Sequence, residues 1–288
     1  MPAPADPRHA FGGVPLDHWS IPIQDAQLLA GQPPGTFSHS PVIGPATTLR
    51  RIGYRDYVHP SDVTFREFLI GFVVEQFGGL EWLQREFPLP IAERHVVSGW
   101  YSRTVASINE AQRVAQASPG DEIRIPASGY MSELLALAYD LALLIDRHCL
   151  PVPLLERLRV RTEYQGARFE MAVAAISVRA GFRVNFIKDT TKTGPEFIAE
   201  DPITATSFGV EAKSRHREGV LHRPGQLDPK KAARADVDRL ITEALAKDRR
   251  GLPYVVMIDV NAPIEPGKTS LEQAWFVDAW RKLGPHSN

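Results

Sequence analysis

Cysteine is all but missing: Cys149 is the single one in 288 residues. That excludes an internal disulfide and any metal site built from several thiolates. A reducing, cytoplasmic setting is the expectation. Lysine is absent before Lys188, so the N-terminal half carries positive charge only as arginine and is acidic overall. The C-terminal part is mildly basic, which suits an anionic partner there, although the formal net charge of the chain is only -1. Long uncharged apolar runs are lacking too. The richest segment, SELLALAYDLALLIDRH, contains Glu133, Asp140 and Asp146 and is too short to span a bilayer comfortably. The N-terminal MPAPADPRHAFGG has no apolar core of the signal-peptide kind. These absences point to a soluble protein that does not engage a membrane.

What is present is an apolar content of 43%, enough for a real core. Residues 1–61 are rich in Pro and Gly (GQPPG, SHSPVIGP) and read as an irregular arm. Residues 62–160 read as a helical domain. VTFREFLIGFVVEQF has helical apolar spacing broken by Gly78 and Gly79, and LEWLQREF resumes it. ERHVVSGWYSRTVASINEAQRVAQ, SELLALAYDLALLIDRH and PVPLLERLRV supply further helices, with Trp82, Trp100 and Tyr101 as core anchors.

From Arg161 to the end the rhythm alternates. EYQGARFEMAVAAISVRAG predicts a helix with Phe169, Ala172, Val173, Ile176 and Ala180 on its apolar stripe and Gly181 at its end. FRVNFIK, the stretch after KTGP, and SFGVEAKSR predict three strands. LDPKKAARADVDRLITEALAKD predicts a helix with Asp228 as N-cap, and YVVMIDVNAP a strand buried on both faces. The order helix, three strands, helix, strand predicts an α/β (α+β) protein with a mixed central sheet. The last strand should lie parallel across the helix.

In SFGVEAKSRHR a carboxylate and an amine stand two residues apart, and Glu and Lys are both poor strand formers. Strand geometry sends Glu211 and Lys213 to one face. Glu196 opens the preceding strand and reaches the same end of the sheet. Glu170 flanks the helical stripe and can look inward over it. Three carboxylates converging with an amine make a hard-cation site: Mg²⁺ takes oxygen ligands and keeps several waters, so two carboxylates and a main-chain carbonyl suffice. Without a cation, carboxylates so grouped repel one another, and some compensation is expected.

YQGARFE, GPEF and VEAK in this order of elements resemble the PD-(D/E)xK nuclease superfamily over residues 161–265. The resemblance implies a restriction-endonuclease-like αβββαβ core and a metal-dependent endonuclease, with DNA as substrate and defence or repair as context. It implies that Glu196, Glu211 and the main-chain carbonyl of Ala212 bind Mg²⁺ or Mn²⁺, that Lys213 serves the attacking water, and that Glu170 assists. The family carries Asp after the proline. Here Glu196 is one methylene longer, which moves its carboxylate by about 1.5 Å. Glu200 and Asp201 are the substitute ligands of second rank.

The remaining candidates each have a plain reading beside the functional one. Arg215 reads as an exposed strand-end arginine or a phosphate contact. Lys230, Lys231 and Arg234 read as a solvated helix face or a nucleic-acid backbone contact. His216 and His222 read as loop histidines. The alternative to the nuclease is a catalytically inactive module of the same fold that binds nucleic acid or protein. The helical N-terminal region then offers a surface for a homodimer or a partner protein.

Overall fold

The computed structural model describes residues 64–116, 125–187, 193–215, 237–261 and 267–283 (side chains of 270, 282 and 283 excepted), and the backbone of the strands within 20–60. The chain divides into two compact units, Met1–Leu150 and Pro151–Asn288. The division falls before the helix Val152–Arg159 rather than after it, because that helix packs on its successor, Tyr164–Arg179.

The first unit holds an antiparallel sheet where an irregular arm was expected. Its strands are β1 (Ser20–Pro22), β2 (Ser38–Gly44), β3 (Thr47–Ile52) and β4 (Arg55–Pro60), in the order β1-β4-β3-β2. TTLRRI and RDYVHP carry β-branched and aromatic residues that suit a pleated surface, and Ile52 pairs with Arg55 across a two-residue connection. Pro41 falls on the edge strand β2, within the register shift between His39 and Val42, where a missing N–H does least harm.

Four helices follow: α1 (Phe65–Gln76), α2 (Gly79–Glu86), α3 (Val96–Ala115) and α4 (Gly129–Asp146). A capping box starts α1: the Thr64 hydroxyl accepts the Glu67 N–H at 3.3 Å, and the Thr64 N–H donates to Glu67 Oε2 at 2.8 Å. Gly78 and Gly79, at φ +112° and +68°, make the break that separates α1 from α2. The core forms where α4 packs on α1 and α3, with Leu134, Leu137, Leu141 and Leu144 fully buried. Trp82 and Tyr101 are buried too, the Trp82 ring 5.1 Å from that of Phe77. Among the described residues, no helix is long and apolar enough to cross a membrane.

The second unit runs α5 (Val152–Arg159), α6 (Tyr164–Arg179), β5 (Arg183–Phe186), β6 (Phe197–Glu200), β7 (Ser207–Ser214), α7 (Val237–Leu245), β8 (Tyr254–Asp259) and α8 (Ala274–Leu283). Its sheet is mixed, ordered β5-β6-β7-β8, with the first three strands antiparallel and β8 parallel to β7. The protein is thus a mixed α/β protein. Gly181, at φ +96°, ends α6 in a Schellman turn: its N–H reaches the Val178 carbonyl at 3.0 Å and that of Phe182 reaches Ser177 at 3.1 Å.

Two further expectations need correction. The buried face of α6 runs through Ala167, Glu170, Met171, Ala174 and Val178, while Ile176 is 46% exposed. Packing against both α5 and β7 rotates the contact face toward the small residues and takes a glutamate with it. β8 is not buried on both faces: it is the edge of the sheet, and Val255 is exposed. The helix expected from Asp228 is described only from Val237, and the Asp228 cap lies outside the described residues. α8, absent from the sequence reading, packs on α7.

Candidate active site

β7 is the strand that matters. It pairs with β6 on one side and β8 on the other, so its middle is the interior of the sheet. Glu211 sits there with no exposed surface at all. An ionised carboxylate in such a place needs cations or donors around it, and it has them. Lys213 Nζ lies 3.0 Å from Glu211 Oε1, on the face that the two-residue spacing demands. Lys247 Nζ lies 2.7 Å from the same oxygen and donates to Oε2 at 2.9 Å. The Tyr254 hydroxyl donates to Oε2 at 3.3 Å. Oε1 nevertheless makes no well-formed hydrogen bond, so its two ammonium neighbours act as ion pairs rather than aligned donors.

Glu196 stands one residue before β6. Its N–H donates to the Val210 carbonyl at 3.0 Å and its carbonyl accepts from Ile187 at 3.2 Å, so main-chain bonds to both neighbouring strands hold it beside Glu211. Its carboxylate meets Lys247 Nζ at 3.3 Å. One ammonium therefore bridges Glu196 and Glu211. Lys247 follows α7, in a loop pinned by the Asp248 N–H on the Thr193 carbonyl at 2.7 Å. Burial lowers the tendency of Lys247 to stay charged, but the hydrogen bond to Glu211 and the charges of both glutamates outweigh it and raise its pKa.

Glu170 is buried on α6 and turned toward Arg157 of α5, whose Nη1 lies 2.6 Å from its Oε2. Arg157 also reaches Glu163 at 3.6 Å. Burial raises the Glu170 pKa, the charges of Glu196 and Glu211 push it further up, and Arg157 opposes the rise. The third carboxylate is close enough to feel the other two but is held apart from them. Among the described residues no three carboxylate, imidazole or thiol side chains are grouped closely enough to hold a metal ion. Burial and Glu211 likewise push the Tyr254 phenol far above its ordinary pKa, so it stays a neutral donor.

A polar network fixes the far end of β7. Gln165 of α6 donates to the Arg215 carbonyl at 3.0 Å and to Ser214 Oγ at 3.3 Å. Ser214 Oγ donates to Asp259 Oδ2 at 2.9 Å, and Asn261 Nδ2 reaches the Arg215 carbonyl at 3.2 Å.

The structure thus brings Glu196, Glu211 and Lys213 together, with Glu170 nearby. It does not bring in the substitutes. Glu200 pairs with Arg183 at 3.4 Å, and Asp201 is committed to its own turn, accepting from the Ile203 N–H at 2.8 Å and the Thr204 hydroxyl at 2.9 Å. Those bonds hold the Asp201 carboxyl below its ordinary range. Arg215 is buried, 7% exposed, rather than an exposed strand-end arginine. Lys230, Lys231, Arg234, His216 and His222 lie outside the described residues.

Three residues of this cluster escaped the sequence reading. Lys247, in ALAKDRRG, reads as a helix-end lysine interacting with the last carbonyls. Arg157 reads as an exposed residue of a short helix, and Tyr254 as the start of an apolar strand. A signal did exist at Gly209: glycine inside a strand often marks a close approach by another group, and here that group is the Tyr254 ring. No protein-family model, no curated protein and no solved structure matches the chain.

Proposed function

We propose that the protein is a divalent-metal-dependent nuclease that hydrolyses phosphodiester bonds, with DNA the favoured substrate, and that its second unit is a restriction-endonuclease-like core. The observation that carries this reading is the meeting of Glu196, Glu211 and Lys213 at one point of the mixed sheet, with one Glu211 oxygen fully buried yet lacking a well-formed hydrogen bond. An all-oxygen donor set of two carboxylates and the Ala212 carbonyl fits Mg²⁺ or Mn²⁺, which bind through one or two carboxylates and retain waters.

Such an ion would lower the pKa of a bound water and polarise the phosphodiester. The chain's own groups do the rest. Glu196 and Glu211 supply the negative charge that selects a cation. Lys213, 22% exposed at its side chain, is the ammonium that orients the attacking water and balances charge developing on the phosphate. Glu170, its pKa raised by burial and its carboxyl tied to Arg157, is the further acid that assists beside the two carboxylates.

The test is incubation of plasmid, linear and single-stranded DNA, and of RNA, with Mg²⁺, Mn²⁺ or EDTA, comparing wild type with Lys213→Ala. Cleavage should require the ion and fall by about 100-fold or more in the variant, as for loss of one aligned electrostatic group. Cleavage that survives the substitution, or that proceeds in EDTA, overturns the reading. One observation favours the inactive module instead: Lys247 already bridges the two carboxylates. Binding of nucleic acid without cleavage under every metal condition would select that reading.

A further inference from the structure

The two carboxylates assigned to the metal are not waiting apart. Lys247 Nζ lies 2.7 Å from Glu211 and 3.3 Å from Glu196, where a shared cation would sit. The lysine belongs to neither element of the motif: it arrives from the loop behind α7, and its side chain is only 15% exposed. Its backbone is fixed, through Asp248 on Thr193 and through its own N–H on the Ala244 carbonyl at 3.3 Å. Its four-carbon stem is not: a lysine stem has the rotamer freedom to swing its head several ångströms without moving the loop.

We propose that Lys247 is a tethered cation that holds Glu196 and Glu211 together until a divalent ion binds, and that its ammonium must leave for the ion to enter. This rests on the metal-site reading above and adds a positioning residue to it. Two carboxylates drawn this close repel one another unless a positive charge stands between them. Lys213 stands on Glu211 at 3.0 Å, whereas Lys247 contacts both carboxylates. A divalent ion brings more charge to the same oxygens, and an ammonium in contact with them would then face a like charge at short range. The two occupants are therefore exclusive. The site is held assembled by Lys247, and the apparent metal affinity is reduced by the fraction of molecules in which the ammonium has not swung away.

The experiment is direct titration of the full chain with Mn²⁺ by isothermal titration calorimetry, beside thermal unfolding in EDTA and in saturating Mn²⁺. Wild type, Lys247→Met, Lys247→Gln and Lys247→Arg are compared. Removing the competing ammonium should tighten Mn²⁺ binding by about tenfold in both neutral variants, the ordinary size of a coupling between two occupants. The neutral variants should also unfold earlier in EDTA and recover in Mn²⁺, whereas Lys247→Arg should stay near wild type in both respects. A merely structural lysine would lower stability without tightening the metal. Adding Glu211→Gln to Lys247→Met should abolish the tightening, which ties it to this site.

Equal Mn²⁺ affinity in wild type and in both neutral variants overturns the proposal and leaves the metal site standing. Absence of Mn²⁺ binding in every folded variant removes the metal site and this proposal with it. Weaker binding in the neutral variants assigns Lys247 to holding the carboxylates in place and overturns the competition.

Discussion

Gly209 and Tyr254 are partners across the parallel β7–β8 ladder, and the tyrosine ring lies flush over the glycine. A β-carbon on Gly209 would come 3.0 Å from Tyr254 Cδ2 and 3.3 Å from Pro195 Cγ. The same ring ends in the hydroxyl that donates to Glu211 at 3.3 Å. The missing side chain at position 209 is thus what lets a tyrosine from the edge strand cross toward the buried carboxylate.

The first prediction follows from that contact. Gly209→Ala must displace the ring or Pro195, and both are partly walled in, so it should destabilise the second unit by about 1–3 kcal/mol, the usual penalty for overfilling a packed site. In a Tyr254→Ala background most of that penalty should vanish. The measure is a double-mutant cycle on denaturant unfolding, where contacting pairs show coupling of about 0.5–3 kcal/mol. Additive effects would mean that Pro195, not Tyr254, sets the limit.

How much of this could be read beforehand depended on whether the information was local. The pairing of Glu211 with Lys213 was legible because strand pleating alone sends residues two apart to the same side. Glu196 was legible because a short hairpin brings its strand alongside. The end of α6 was legible in Gly181, since few other residues tolerate φ +96°. Lys247, Arg157 and Tyr254 were not, because each reaches the site from an element whose placement depends on tertiary packing. The α6 stripe failed for a related reason. Periodicity finds a face but not its exact centre, and the neighbours α5 and β7 chose one that includes Glu170. The β8 strand was judged by its apolar composition, whereas its position at the sheet edge decided its exposure.

The second prediction concerns Arg157, the charge that among the described residues stands against the burial of Glu170. Arg157→Met keeps the apolar stem and removes the guanidinium 2.6 Å from the carboxylate. A buried polar group left without its partner costs about 1–3 kcal/mol, and a fully buried charge more. With Arg157 more than one-third exposed, the lower half of that range is expected at neutral pH. At pH 4 the penalty should shrink, since a protonated Glu170 has less need of a cation. Thermal unfolding of wild type and variant at the two pH values decides it. A penalty that is the same at both would show that Arg157 acts by packing, through its contact with the body of α6.

The third prediction is the pH dependence of Glu170 itself. Its folded-state pKa is raised, by burial first and by the charges of Glu196 and Glu211 second. In the unfolded chain it titrates near 4.3, the ordinary glutamate value. Below that value both states are protonated and the group contributes nothing to the pH dependence. As pH climbs, the unfolded chain releases the proton first while the folded protein retains it, so stability falls. The fall ends once pH passes the raised folded value, and the penalty is full above it. Glu170→Gln carries no titrating proton and should escape this loss. The stability difference between the variant and wild type, measured by urea unfolding in EDTA, should therefore shift toward the variant as pH rises through that window, whatever its offset at low pH. A difference that stays constant from pH 4 to 7 would mean that Arg157 fully compensates the buried charge, and a shift toward wild type would mean that Arg157 overcompensates it.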